Sequence, residues 1–129
     1  NNTQTDNDLN NHNLSVIIVD DDENSAKLLV NLLQQGNKLY LAKTGNEVVD
    51  ICKKNKDINL ILMDIKLPDI DGYAATKKIR EFNKKVVIIG QSAYTTSESK
   101  KKALEAGCNE YISKPINAIK LFEIINKYI

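Results

Sequence analysis

Five short apolar runs, each followed by a stretch with helical spacing, constrain this chain more than any other feature. The runs cover residues 15–19, 39–42, 60–63, 86–89 and 110–112, and the stretches between and after them predict helices over 24–35, 45–54, 73–81, 98–106 and 117–128. Continuous apolar segments of this length read as strands buried on both faces. Strands alternating with helices predict an α/β fold, a parallel sheet with helices on both sides in three layers.

Local signals agree with these boundaries. Thr44-Gly45-Asn46-Glu47 and Thr95-Thr96-Ser97-Glu98 fit the capping box, in which a hydroxyl and a carboxylate satisfy the free amides of a helix start. Gly36 and Gly107 stand where helix ends call for a left-handed residue. In the last helix Ala118, Leu121, Phe122, Ile125, Tyr128 and Ile129 form one apolar stripe, read as a core face.

The 129 residues suffice for one sizeable core and are too few for two. Residues 14–129 are expected to form that domain, and the Asn-rich residues 1–13, nearly without apolar side chains, a disordered tail or linker holding the single histidine, His12. The front has neither the basic nor the apolar region of a signal peptide. Eighteen Lys and Arg against 17 Asp and Glu leave a net charge of +1, which gives no sign of nucleic-acid binding. No apolar run approaches a membrane span of about 20 residues. Cys52 and Cys108 are too few and too far apart for a disulfide framework, so they read as buried thiols in a reducing, cytoplasmic setting.

In a parallel sheet every strand's carboxyl end opens on one edge, where ligands of open α/β sheets bind. The first strand runs into Asp20-Asp21-Asp22-Glu23, the third into Asp64, the fourth into Ser92-Ala93 and the fifth into Ser113-Lys114-Pro115. Clustered carboxylates repel one another by a few kcal/mol per pair even at an effective dielectric of about 20, so a cation must sit among them. Hard oxygen ligands without His or Cys select magnesium. Lys114 adds a second positive charge and Ser92 a neutral donor. Metal, ammonium and hydroxyl converging on Asp64 suit phosphoryl transfer to a carboxylate nucleophile. Each residue alone has a plainer role, as helix cap, turn former or solvated lysine, but their arrival at four of five strand ends favours a joint one.

These residues resemble the receiver domain of bacterial two-component response regulators. The resemblance covers residues 14–129 and rests on Val19-Asp20-Asp21-Asp22-Glu23-Asn24, Leu62-Met63-Asp64-Ile65-Lys66-Leu67-Pro68-Asp69-Ile70-Asp71-Gly72, Ser92-Ala93 and Ala106-Gly107-Cys108-Asn109-Glu110-Tyr111-Ile112-Ser113-Lys114-Pro115-Ile116. It implies a flavodoxin-like sheet of strand order 2-1-3-4-5 with five helices. It also implies Asp64 as phosphoacceptor from a phosphohistidine on a histidine kinase or histidine phosphotransfer domain. Asp20 and Asp21, with Asp64 and the backbone carbonyl of Lys66, become the magnesium ligands, Asp20 acting partly through water. Ser92 and Tyr111 become the switch pair, and Lys114 the phosphate-pairing cation. Such a domain catalyses its own aspartyl phosphorylation and dephosphorylation rather than acting as an enzyme in its own right. Phosphorylation is expected to change the surface of the fourth helix, fifth strand and fifth helix, with homodimerisation as one readout and no direct binding of nucleic acid.

Ser92 stands where Thr is more frequent, and the sequence offers no account of Gln91. Lys66 and Tyr94, two places beyond Asp64 and Ser92, are expected to shield the acyl phosphate from water and lengthen its life. The polar front, the lack of an initiator Met and the end directly after the fifth helix lean toward the carboxyl-terminal receiver of a hybrid sensor histidine kinase over a stand-alone regulator. A receiver-like module that is never phosphorylated is the alternative. A haloacid-dehalogenase-like phosphatase fits Asp20-Asp21-Asp22 but finds Asn24 in place of Thr or Val and no acidic pair after Lys114. Flavin binding is disfavoured by the acidic loop after the first strand, which would repel a phosphate.

Overall fold

The computed structural model describes residues 13–129, so residues 1–12 of the expected tail, with His12, lie outside the described residues. The order of elements is β1 (Ser15–Val19), α1 (Glu23–Leu33), β2 (Lys38–Ala42), α2 (Gly45–Lys54), β3 (Leu60–Asp64), α3 (Gly72–Arg80), β4 (Val87–Ser92), α4 (Ser97–Ala106), β5 (Glu110–Ser113) and α5 (Ala118–Tyr128). All strands pair in parallel in the order β2-β1-β3-β4-β5, the flavodoxin-like arrangement.

Side chains alternate across a strand with a period of two, so each apolar run feeds two cores. Val16, Ile18, Leu60, Leu62 and Ile89 point to one layer, where Leu29 and Leu33 of α1 and Leu121, Ile124 and Ile125 of α5 cover them. Ile17, Val19, Ile61, Met63 and Ile88 point to the other, against Val48 and Cys52 of α2, Ala75 and Ile79 of α3 and Ala103 of α4. Each fully buried Leu or Ile contributes roughly 1.5–3 kcal/mol of transfer free energy. Two such layers leave the strand ends as the place where polar groups can gather. Among the described residues no helix is long and apolar enough to cross a membrane.

Four expectations are corrected. The fourth strand does not stop at Ile89 but continues through Gly90 and Gln91 to Ser92, because β3 and β5 on either side supply backbone partners: Asp64 pairs with Gln91, and Ser92 with Ser113. The cap of α4 is Thr96 rather than Thr95, and its box is completed by Ser99 rather than by Glu98. At α2, Thr44 does cap the Glu47 amide, but the Glu47 carboxylate accepts from Lys43 N–H at 2.7 Å. The stripe on α5 centres on Leu121, Ile124 and Ile125, while Ile129 is 45% exposed. Gly36 and Gly107 do take positive φ, 80° and 120°.

Candidate functional site

The strand order reverses its winding between β1 and β3, and at such a switch point the two flanking loops part to leave a crevice. Asp20 follows β1 directly and Asp64 is the last residue of β3, so the sheet itself brings the two carboxylates to that crevice. Ligand atoms of Asp20, Asp21 and Asp64 all lie within 4.8 Å of one another, with Asp20 and Asp64 buried and Asp21 exposed. At that separation, charges repel by roughly 3 kcal/mol per pair at an effective dielectric of about 20.

Lys114, one residue beyond β5, answers part of this charge. Its ammonium lies 3.0 Å from Asp20 Oδ2 and 3.1 Å from Asp64 Oδ2. Burial pulls its pKa down, but the Asp20 and Asp64 carboxylates outweigh burial and hold the ammonium above its ordinary value. Burial pushes the Asp64 carboxyl up, against Lys114, which favours the ionised form. One ammonium, paired with two of three clustered carboxylates, leaves an excess of negative charge that a divalent cation with oxygen ligands fits.

Neighbouring acids have other duties. The Asp22 carboxylate caps α1, accepting from Ser25 N–H at 3.2 Å and the Ser25 hydroxyl at 2.7 Å, while Asp20 Oδ1 accepts from Asp22 N–H at 2.9 Å. Those bonds, led by the Ser25 hydroxyl, hold the Asp22 carboxyl below its ordinary range. The acidic run is thus divided between a helix cap and the cluster.

The loop after β3 is folded back by Gly72. A Cβ there would collide with the Asp64 carbonyl oxygen and stand 2.7 Å from Ile65 Cα, so only glycine permits the close approach. Its N–H donates to Ile65 O at 2.8 Å, and Asp71 caps α3 through Ala74 N–H. Asp69 anchors the loop from a distance: its carboxylate accepts from Gly45 N–H at 2.8 Å and Asn46 N–H at 2.9 Å at the start of α2. Sequence reasoning missed this second cap of α2, because it joins residues more than twenty positions apart.

A cleft of about 430 Å³ opens over these groups, lined among others by Lys66, Pro68, Ser92, Tyr94 and Lys114. Lys66 N–H donates to Asp64 Oδ1 at 3.1 Å, leaving Oδ2 to Lys114. Ser92 Oγ accepts from Tyr94 N–H at 3.1 Å. Tyr94 is 71% exposed, whereas Tyr111 is turned inward, 8% exposed, and its hydroxyl donates to the Tyr94 carbonyl at 2.7 Å. Of the candidate site residues, Asp20, Asp21, Asp64, Lys66, Ser92, Tyr94 and Lys114 line one crevice, and Tyr111 reaches it through the Tyr94 carbonyl. Gln91 alone stays without an account: it is buried, and its amide nitrogen and oxygen have no partner among the described residues.

A doubly wound sheet with an acidic crevice at its switch point, bridged by one lysine, defines a flavodoxin-like α/β domain with a cation-hungry site. The response regulator receiver domain model matches residues 16–126, and the chain belongs to that family, the receiver domains of two-component signalling. It is 37% identical over 123 residues to a hybrid signal transduction histidine kinase I of Dictyostelium discoideum, covering 88% of this chain and 7% of that protein. Over 118 residues it is 31% identical to the polar-differentiation response regulator DivK of Brucella anthropi, covering 89% of this chain and 95% of that one. The fold also matches the receiver domain of the Saccharomyces cerevisiae response regulator Ssk1, solved with the histidine phosphotransfer protein Ypd1, at a TM-score of 0.83. The two are 34% identical, with 89% of this chain and 88% of that one covered.

Proposed function

We propose that Asp64 accepts a phosphoryl group from a phosphohistidine. The observation that carries this reading is the packing of Asp20, Asp21 and Asp64 within 4.8 Å of one another, with Lys114 bonded to two of them. An Asp64 carboxylate oxygen attacks phosphorus, the N–P bond to the imidazole breaks, and the imidazole nitrogen keeps the electron pair; the product is an acyl phosphate. Asp20, Asp21 and Asp64, with the Lys66 carbonyl, would hold a magnesium ion, which when bound neutralises charge on the phosphoryl oxygens. Lys114 turns from the Asp64 carboxylate to the phosphoryl oxygens, and the Ser92 hydroxyl donates to them.

The donor protein is read as a histidine kinase or histidine phosphotransfer domain. Exposed apolar groups available to such a partner are Tyr94, which lines the crevice and is 71% exposed, Leu28 on α1 at 45% and Ile119 on α5 at 73%. Both helices begin at the edge that carries Asp64. After phosphorylation, movement of Ser92 and Tyr111 changes the α4–β5–α5 face. Self-association on that face is the expected readout, and a mass unchanged with concentration and with a phosphoryl mimic would remove it.

Lys66 and Tyr94 line the cleft and shield the acyl phosphate from water. Replacing both by small residues is expected to shorten its half-life, and an unchanged half-life would sink that role. The main test is intact mass after acetyl phosphate with magnesium. One phosphoryl adduct is expected on the wild type and none on Asp64→Asn; a wild type that stays unmodified overturns the reading.

A further inference from the structure

Tyr111 is held inward, and the contacts that hold it lead back to α3. Its ring lies against β4, where a Cβ on Gly90 would stand 3.0 Å from Tyr111 Cδ1. Its hydroxyl donates to the Tyr94 carbonyl at 2.7 Å and neighbours the Tyr73 phenol, so its position depends on where the β4–α4 loop places that oxygen and on Tyr73. Ser99, in the first turn of α4, fixes the loop. The Ser99 hydroxyl lies 3.3 Å from the same Tyr94 carbonyl and 3.0 Å from the Thr96 carbonyl, and accepts from Thr96 N–H at 3.0 Å. The Ser99 carbonyl in turn accepts from the Tyr73 hydroxyl at 3.3 Å.

Tyr73 is the second residue of α3 and packs against the core layer that contains Tyr111. Burial and the neighbouring Tyr111 phenol push its own phenol up to about 12, so it stays a donor across the physiological range. Lys102 of α4 lies over its ring at 5.6 Å. The path Tyr73, Ser99, Tyr94, Tyr111 is thus a continuous set of contacts joining α3, α4 and β5, in which one hydroxyl ties the helices together.

We propose that Tyr73 is a positioning residue of the switch: through the Ser99 carbonyl its hydroxyl sets the β4–α4 loop so that Tyr111 rests inward. This rests on Tyr111 being the switch aromatic, as read above. Loss of the hydroxyl frees the start of α4, moves the Tyr94 carbonyl and releases the Tyr111 ring toward solvent.

The test uses the full chain without phosphoryl donor or metal, so its failure is separate from failure of the Asp64 mass experiment. Tyrosine nitration is followed by peptide mass for wild type, Tyr73→Phe and Tyr73→Leu. The expected result is Tyr111 modified about fivefold faster in Tyr73→Phe, the scale of one neutral hydrogen bond, with Tyr128 unchanged. If Tyr111 in Tyr73→Phe reacts as in the wild type, the proposal is overturned, and release by Tyr73→Leu alone would assign Tyr73 to packing. Equal acceleration of Tyr128 would mean general loosening and would overturn it as well. If Tyr73→Leu does not fold, the Tyr73→Phe comparison decides.

Discussion

Lys114, just past the end of β5, and Gln91, in neighbouring β4, sit in opposite electrostatic conditions. Lys114 has two carboxylates within 3.1 Å, and removing its charge leaves Asp20 and Asp64 buried and facing one another. Lys114→Gln is expected to cost about 2 kcal/mol, less than the full cost of a broken buried pair because the lysine side chain is 22% exposed. Added magnesium should raise the thermal midpoint of this variant more than that of the wild type, since the ion takes over the missing countercharge. Gln91 has the reverse problem, a buried amide with two unpartnered atoms in the middle of a sheet. Gln91→Leu, of similar volume, is expected to raise stability by about 1–3 kcal/mol. A higher urea midpoint with an unchanged slope would show it. That such a residue is retained one place before Ser92 fits the rule that local inconsistencies gather at functional sites.

Among the elements, the β3–α3 loop shows how a site is fixed by groups far from its chemistry. Gly72 folds it against the end of β3, and Asp69 fastens it to the start of α2. Burial opposes ionisation of Asp69, but the Asn46 and Gly45 amides prevail and hold its carboxyl below the ordinary 3.8. A carboxyl with a depressed pKa in the folded state adds stability that is complete above its unfolded pKa and is lost as pH falls through the folded one. Stability should therefore decline as pH drops below about 3.8. Asp69→Asn should flatten part of that decline, as followed by urea midpoints across the acid range. From the sequence, α2 was legible to the residue because its cap, Thr44, immediately precedes it and the apolar spacing runs through it. The end of β4 was not, because Gly90 and Gln91 interrupt the apolar run and only pairing with β3 and β5 keeps them extended. The acidic cluster was legible because a parallel sheet sends all its carboxyl ends to one edge. Asp69 and Tyr73 were not, because each acts through a backbone atom of another element.

For the molecule as a whole, the sheet's strands are shared by two separate core layers. One layer lies under α1 and α5; the other, under α2, α3 and α4, contains the Tyr111 ring. Both cysteines belong to this second layer. Cys52 sits in α2, and Cys108 follows α4 with its sulfur 3.8 Å from the Thr76 hydroxyl. Burial raises both thiols above their ordinary value, so in the closed molecule they are poor nucleophiles. They are therefore a built-in clock. The rate at which a disulfide reagent captures each thiol under native conditions reports how often its surroundings open. If the α2–α4 side breathes as a unit apart from the rest, the two thiols will be captured at matching rates and with a weaker denaturant dependence than global unfolding, and an opening confined to α4 will show as Cys108 running ahead of Cys52.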